Sequence, residues 1–139
     1  MNINEIEGLI VEAIKERRGL FFSSNDESKL KECESVFLKH LEPKSKVLIC
    51  GEMSLNENAK DVYIFRPMEH GILINEQNLL EITFKMGAES LICHCSSIKL
   101  AEKFMELDKR MLGHSFCCTL LNKNKDENML ELLEGIISI

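Results

Sequence analysis

The segment Leu20–Leu30, "LFFSSNDESKL", contains the pattern that decides the fold class. Its first three residues form a short continuous apolar run, which is typical of a strand covered on both faces. The polar residues Ser24, Asn25 and Asp26 follow, and each of them is a good cap for a helix over about residues 27–41. The segment therefore predicts a strand, a short turn and a helix, in that order.

The same alternation of apolar strands and amphipathic helices continues on both sides of this segment. Before it, apolar side chains at helical spacing predict a helix over residues 3–17 that ends near Gly19. After it, similar patterns predict strands at 46–50, 61–65, 90–95 and 114–121, a short extra strand at 72–74, and helices at about 75–86, 96–112 and 126–139. This order predicts an α/β fold of three layers, with a mostly parallel sheet and helices on both faces, in one domain over residues 1–139.

The turn after the first strand has the length and the position of a phosphate-binding loop. Open α/β sheets bind ligands at the carboxyl ends of their strands, and the motif G-x-x-x-x-G-K-[ST] binds phosphate there. In this chain Ser23 and Ser28 align with the two glycines, Lys29 aligns with the lysine, and Leu30 aligns with the hydroxyl residue. Only the lysine of the motif is retained.

The substitutions remove the chemistry that a nucleotide would need. Serine adopts the positive φ angles of the motif less readily than glycine does. Asp26 and Glu27 add negative charge next to the place of the phosphates, and Leu30 has no oxygen for magnesium. Taken alone, the segment is an ordinary capped turn in which Ser23, Ser28 and Lys29 are degenerate nucleotide-binding positions, and ATP is not expected as a cofactor.

Two longer segments add a resemblance to a known family. Glu12–Leu30 resembles the entry to the nucleotide-binding domain of the secretion ATPase superfamily, the motors of type IV secretion and of Tad and type IV pili. Asn78–Ile136 resembles the second half of that domain in the order and spacing of its motifs. There the "GH" of the family is matched by Gly113 and His114, and Thr119 begins a "THAN"-like motif. The resemblance implies a RecA-like domain of the P-loop NTPase type, in which the strand before Ser23 is central and neighbours the strand that ends at Cys95.

The departures from the family fall on its catalytic residues. His94 and Cys95 stand at the Walker-B-like "GE" position, so the carboxylate is missing, and Leu121 replaces the histidine of the last motif. The resemblance thus implies a pseudo-ATPase that binds a protein partner, such as a motor ATPase, another secretion or pilus component, or a second copy of itself. One alternative is a nucleotide-binding switch or weak ATPase that retains Lys29. Another is that the likeness is only the convergence of α/β proteins.

Charge and hydropathy limit the other classes of function. The formal net charge is −6, and nucleic-acid binding is not expected because it needs a basic surface. No apolar stretch approaches the roughly 20 residues of a membrane span, and Met1–Ile10 lacks the basic and apolar regions of a signal peptide. The sequence predicts a cytoplasmic protein without membrane insertion.

The six cysteines are expected to be reduced thiols in the core. Cys93 and Cys95 with Cys117 and Cys118 raise the alternative of zinc, but the C-x-x-C spacing of structural zinc sites is absent, and no metal is expected. A further alternative is a nucleophile formed by Cys95 with His94 or His114.

Overall fold

A computed structural model describes residues 1–51, 61–67, 71–72, 76–111, 113–123 and 135–139 of the chain. Helices and strands alternate along most of these residues. Their bounds are α1 (Ile3–Glu16), β1 (Leu20–Ser24), α2 (Glu27–His40), β2 (Lys46–Cys50), β3 (Tyr63–Phe65), α3 (Glu76–Met86), β4 (Ser90–Cys95), α4 (Ile98–Met111), β5 (Phe116–Asn122) and β6 (Ile137–Ser138).

The six strands form one sheet in the order β3-β2-β4-β5-β1-β6, and every neighbouring pair is parallel. Parallel strands need crossover connections, which place helices on the faces of the sheet. The two central strands β4 and β5 are buried along their whole length, as expected for strands covered on both faces.

Two apolar clusters show which helices cover which face. On the first side, which we call the α1/α2 face, residues of α1 and α2 pack against Phe22, Ile92 and Leu120. On the second side, the α3/α4 face, residues of α3 and α4 pack against Cys93 and Leu121. The arrangement confirms the predicted three-layer α/β class and is consistent with a RecA-like fold.

Local signals in the sequence account for the ends of the first two helices. The Asn2 side chain accepts a hydrogen bond from the Glu5 amide at 2.9 Å and so caps α1, which ends at Arg17 in the left-handed conformation (φ 54°). Asp26, one of the three predicted caps, caps α2 by accepting from the Ser28 amide at 2.9 Å. These caps satisfy amide groups that have no partner inside the helix.

The C-terminal prediction was wrong where the structure describes it. A helix was expected over 126–139, but Ile137–Ser138 form β6 beside β1, and the Ile139 amide donates to the Ser23 carbonyl at 2.9 Å. The free backbone edge of β1 supplies hydrogen bonds that favour an extended chain for these residues. The part of the predicted helix in residues 126–134 lies outside the described residues.

Of two other predicted strands, one needs correction and the second falls largely outside the described residues. The strand expected at 61–65 is shorter and lies at the sheet edge, paired with β2, where Tyr63 is 61% exposed. It was expected to be buried because its composition resembles that of a central strand. The extra strand expected at 72–74 falls largely outside the described residues.

The order of the strands corrects two expectations from the family resemblance. β1 is not central, because it is fifth in the order of six strands, beside the short strand β6. Its other neighbour is β5, which separates it from β4, so the expected pairing of β1 with the strand ending at Cys95 is also wrong. Among the described residues, no helix has both the length and the apolar character needed to cross a bilayer.

Candidate functional site

The candidate site is the turn between β1 and α2, at the carboxyl edge of the sheet where α/β proteins bind ligands. β1 ends at Ser24 and α2 begins at Glu27, so only Asn25 and Asp26 separate the strand from the helix. The Asp26 amide donates to the Ser24 hydroxyl oxygen at 3.0 Å. The turn is thus closed by its own side chains.

Three backbone amides at the start of α2, those of Ser28, Lys29 and Leu30, also have partners within the chain. The Ser28 amide donates to the Asp26 carboxylate, and the amides of Lys29 and Leu30 donate to the Asp26 carbonyl at 3.1 and 3.3 Å. Phosphate sites at helix N-termini depend on amides that point at the ligand. Here Asp26 binds the amides of Ser28, Lys29 and Leu30, and its carboxylate takes the place that an anion would occupy.

The structure does not assemble the degenerate nucleotide-binding positions into one cradle. Ser23 lies inside β1 and is fully buried, whereas Ser28 is exposed and Lys29 is half-buried, both in the first turn of α2. Leu30, at the place of the hydroxyl residue, is 1% exposed and belongs to the α1/α2 cluster. Leu30 is therefore a core residue, and its side chain does not face a ligand at the turn.

At the end of β4 the residue in the position of the family carboxylate is a buried thiol. The Cys95 thiol donates to the Leu120 carbonyl at 3.7 Å, and burial raises the pKa of Cys95 to about 12. A thiol that stays protonated near neutral pH is a poor nucleophile. The geometry does not support the sequence alternative of a Cys95 nucleophile with either histidine as its base. The side chain of His94 lies on the opposite face of the sheet, and His114 precedes β5 at the opposite edge.

His94 instead forms a buried polar pair with Glu34, a residue that the sequence reasoning missed. Its Nε2 lies 3.2 Å from Glu34 Oε1, and the two side chains are 3% and 0% exposed. The missed signal was that Glu34 lies between Leu30 and Leu38 at four-residue spacing, on the face of α2 that enters the core. Gly51, at φ +117°, fits closely against this site, because a Cβ there would lie 2.5 Å from the His94 carbonyl oxygen.

The other residues that the resemblance matches to family motifs, Gly113, His114 and Thr119, lie away from the turn. Gly113 and His114 precede β5 and therefore lie at the opposite, amino edge of the sheet. Their carbonyls accept hydrogen bonds from the Arg17 guanidinium, each at 2.8 Å, so they connect the end of α1 to the start of β5. Thr119 is buried in the middle of β5 with its hydroxyl unpaired. The structure does not bring these three residues together with Lys29.

All six cysteines are free, buried thiols, as the sequence predicts. Burial and hydrogen bonds with the thiols of Cys117 and Cys50 raise the pKa of Cys93 well above its ordinary value. Within the described parts of the chain, no group of three or more His, Cys, Asp or Glu residues is arranged to hold a metal ion. What these thiols contribute in the structure is core packing.

No known family model matches the chain, and a search of curated proteins finds no match. The secretion ATPase resemblance and the P-loop type of the domain therefore remain predictions from the sequence.

Proposed function

We propose that this chain is a non-catalytic, pseudo-ATPase-like protein that acts in the cytoplasm by binding a protein partner. The single observation that carries the proposal is the closed turn between β1 and α2. Ser24 and Asp26 accept hydrogen bonds from the amides of Asp26, Ser28, Lys29 and Leu30, so these amides are not available to a phosphate. A fold with this turn keeps the position of a nucleotide site while these four amides are already paired.

Electrostatics at the turn support the same conclusion. Asp26 and Glu27 are both exposed at the carboxyl edge, next to the place that a triphosphate would occupy. Like charge within a few ångströms opposes binding, and the lysine at position 29 is a single compensating charge. Phosphoryl transfer also needs a magnesium ligand and a group that positions the nucleophile, and the position of the family carboxylate is the buried thiol of Cys95.

The kind of partner comes from the resemblance alone. A motor ATPase, another secretion or pilus component, or a second copy of this chain would fit a protein that keeps the scaffold of a motor without its chemistry. The expected pairing of β1 with β4 is absent, so strand order gives this part of the proposal no support. The non-catalytic part rests on the turn and does not depend on the family.

A titration with a fluorescent ATP analogue tests the proposal. We expect no saturable binding at millimolar nucleotide, with or without magnesium, for the unaltered protein and for Lys29→Ala. Lys31→Ala is the matched control, because Lys31 is an exposed lysine of the same helix two residues further on. Saturable micromolar binding that Lys29→Ala abolishes and Lys31→Ala preserves would refute the premise of the proposal, that this turn does not bind a nucleotide.

That outcome would support the second candidate, a nucleotide-binding switch or weak ATPase that retains Lys29. One observation favours it: Lys29 is half-buried in the first turn of α2, the position from which a lysine can reach an anion at a helix N-terminus. The absence of binding at millimolar nucleotide would exclude this candidate.

A further inference from the structure

Three thiols form a row across neighbouring strands on the α3/α4 face of the sheet. Cys50 is the last residue of β2, Cys93 lies in β4 and Cys117 lies in β5, and all three belong to the α3/α4 cluster. The thiol of Cys93, in the middle of the row, is hydrogen-bonded with the thiols of Cys50 and Cys117. This row is therefore a candidate site for oxidation to a disulfide.

The register of β2 and β4 places two of these cysteines directly opposite each other. Cys50 is the partner of Cys93 in the parallel pairing of the two strands. Neighbouring strands lie about 4.7–4.9 Å apart, which is within the Cα separation of roughly 4.4–6.8 Å that a disulfide spans. Both side chains lie on the α3/α4 face, so a disulfide between them requires no change of register.

The third thiol of the row is out of register with Cys93. Cys117 is the partner of Leu91, two residues before Cys93 along β4. That offset and the strand spacing together place the Cα atoms of Cys93 and Cys117 roughly 8 Å apart, beyond the roughly 7 Å at which a disulfide requires backbone movement. All six cysteines lie within the described residues, and Cys50 with Cys93 is the one pair of them in direct register.

We propose that Cys50 and Cys93 form a reversible redox site, which a small-molecule disulfide such as oxidised glutathione converts to a disulfide inside the native fold. One thiolate attacks the small disulfide and displaces a first thiolate, and the second cysteine then attacks the mixed disulfide and displaces the other. The two cysteines lose two electrons and two protons, and one small disulfide is reduced to two thiols.

Burial of the pair determines how this exchange takes place. Cys50 is 1% exposed and Cys93 is 0% exposed, so the exchange occurs in molecules in which β2 has opened locally. Burial thus makes the reaction slow, whereas the strand register determines which pair remains bonded when the molecule closes. The inference does not depend on whether the turn between β1 and α2 binds a nucleotide.

The spacing of the two strands predicts that this disulfide is easily reduced. Side chains stand roughly perpendicular to a sheet, so the two Cβ atoms lie at about the strand spacing of 4.7–4.9 Å. A relaxed disulfide has its Cβ atoms about 3.5–4.5 Å apart, and forming the bond must draw β2 and β4 together. Strained disulfides have the higher reduction potentials that are typical of labile, regulatory bonds.

The test equilibrates the unaltered protein with oxidised glutathione under native conditions until the number of free thiols is constant. The remaining thiols are then alkylated in urea, and the linked peptides are identified by mass spectrometry. We expect the loss of two of the six free thiols, a bond between Cys50 and Cys93, and an amide NMR spectrum that changes only near β2 and β4. Excess reduced glutathione should restore all six thiols.

Cys117→Ala is the matched control, because Cys117 also contacts the thiol of Cys93 but is out of register with it. This variant should form the Cys50–Cys93 bond to the same extent as the unaltered protein. In Cys50→Ala, by contrast, Cys93 should remain a free thiol. The peptide mapping of the unaltered protein decides the proposal even where a variant does not fold.

Three results would overturn the proposal. A bond between Cys93 and Cys117 would show that strand register does not select the pair. Six free thiols, or mixed disulfides with glutathione alone, would show that Cys50 and Cys93 are not a redox site. A Cys50–Cys93 bond found only in protein that has lost its native amide spectrum would show that the fold does not accommodate it.

Discussion

Asp108 is a carboxylate whose position depends on the absence of a side chain at Gly19. Its Oδ1 accepts a hydrogen bond from the Cys117 amide at 2.9 Å, and the carboxylate also accepts one from the Gly19 backbone. One residue of α4 thus contacts the start of β5 and the residue before β1. A Cβ at position 19 would lie 2.4 to 2.6 Å from the three carboxylate atoms. At the scale of single residues, this is the tightest fit that the structure shows for a glycine.

We predict that Gly19→Ala destabilises the protein by about 1–3 kcal/mol, the usual cost of an overpacked position. The reason is that the Asp108 carboxylate must move and lose one or both hydrogen bonds. Urea unfolding measures the effect. Gly8→Ala is the matched control: Gly8 lies in α1 with no atom near the place of its Cβ, and alanine there should stabilise by about 0.5–1 kcal/mol. Equal effects of the two variants would contradict the prediction.

The same carboxylate predicts a dependence of stability on pH. Burial raises the pKa of Asp108 above its ordinary value of 3.8, against the opposing effect of the amides of Cys117 and Gly19. A group with a raised pKa binds its proton more tightly in the folded state, so its contribution is fully present below the ordinary pKa and is lost as the pH rises through the folded pKa.

The stability of the unaltered protein relative to Asp108→Asn should therefore fall as the pH rises from about 4 to 7. Asparagine keeps an oxygen for the Cys117 amide and has no proton to lose, so the difference isolates the titration of Asp108. Urea midpoints of both proteins across this range provide the measurement. Parallel pH profiles would show that the burial of the carboxyl group has no consequence for folding.

Among the helices and strands, the connection between α1 and β5 depends on Arg17. The side chain donates to the carbonyls of Gly113 and His114 and lies 5.5 Å from the centre of the Phe116 ring. Arg17 belongs to a short basic run, Lys15–Arg18 ("KERR"), which therefore has a structural role through this residue. Its neighbour Arg18 pairs only with the exposed residues Glu12 and Glu16 among the contacts that the structure gives it.

We expect Arg17→Ala to lower the free energy of unfolding by about 1–2 kcal/mol, through the lost hydrogen bonds and the lost contact with the ring. Arg18→Ala should change it by less than about 0.5 kcal/mol, because exposed ion pairs contribute little. Chemical denaturation of both variants provides the comparison. If the two alanine variants are equally stable, the contacts of Arg17 with the start of β5 do not hold the elements together.

The elements that the sequence predicted best are those with strong local signals. The amphipathic pattern of α1 and the polar cap of α2 each depend on neighbouring residues, and both helices were located to within one residue at either end. β6 was missed because Ile137–Ser138 become a strand only through pairing with β1, more than a hundred residues earlier in the chain. Glu34 was missed for a related reason, since its partner His94 comes from another element.

At the scale of the whole molecule, the thiols are divided between the two sides of the sheet. Cys33 and Cys118 belong to the α1/α2 cluster, whereas the α3/α4 cluster contains Cys50, Cys93, Cys95 and Cys117. Their exposure is between 0% and 7%, with Cys95 the most exposed. Each side of the sheet thus contains chemical groups that solvent reaches only when that side opens.

We predict slow labelling of the native protein by a thiol reagent, beginning at Cys95, and rapid labelling of all six cysteines in urea. Protonation of buried thiols and their lack of exposure both oppose reaction. Mass spectrometry of the labelled peptides measures the order of modification. Rapid labelling of Cys33 or Cys118 in the native protein would show that α1 and α2 open more readily than the packing implies.

The burial of every cysteine has a practical consequence for handling the protein. A disulfide between a thiol of the α1/α2 cluster and one of the α3/α4 cluster can form only in a molecule that has partly opened, and it then keeps that molecule from closing correctly. Air oxidation during storage would thus progressively reduce the amount of native protein in solution. A reducing agent would preserve the sample without breaking any bond of the native fold, since all six of its cysteines are free thiols and form no disulfide.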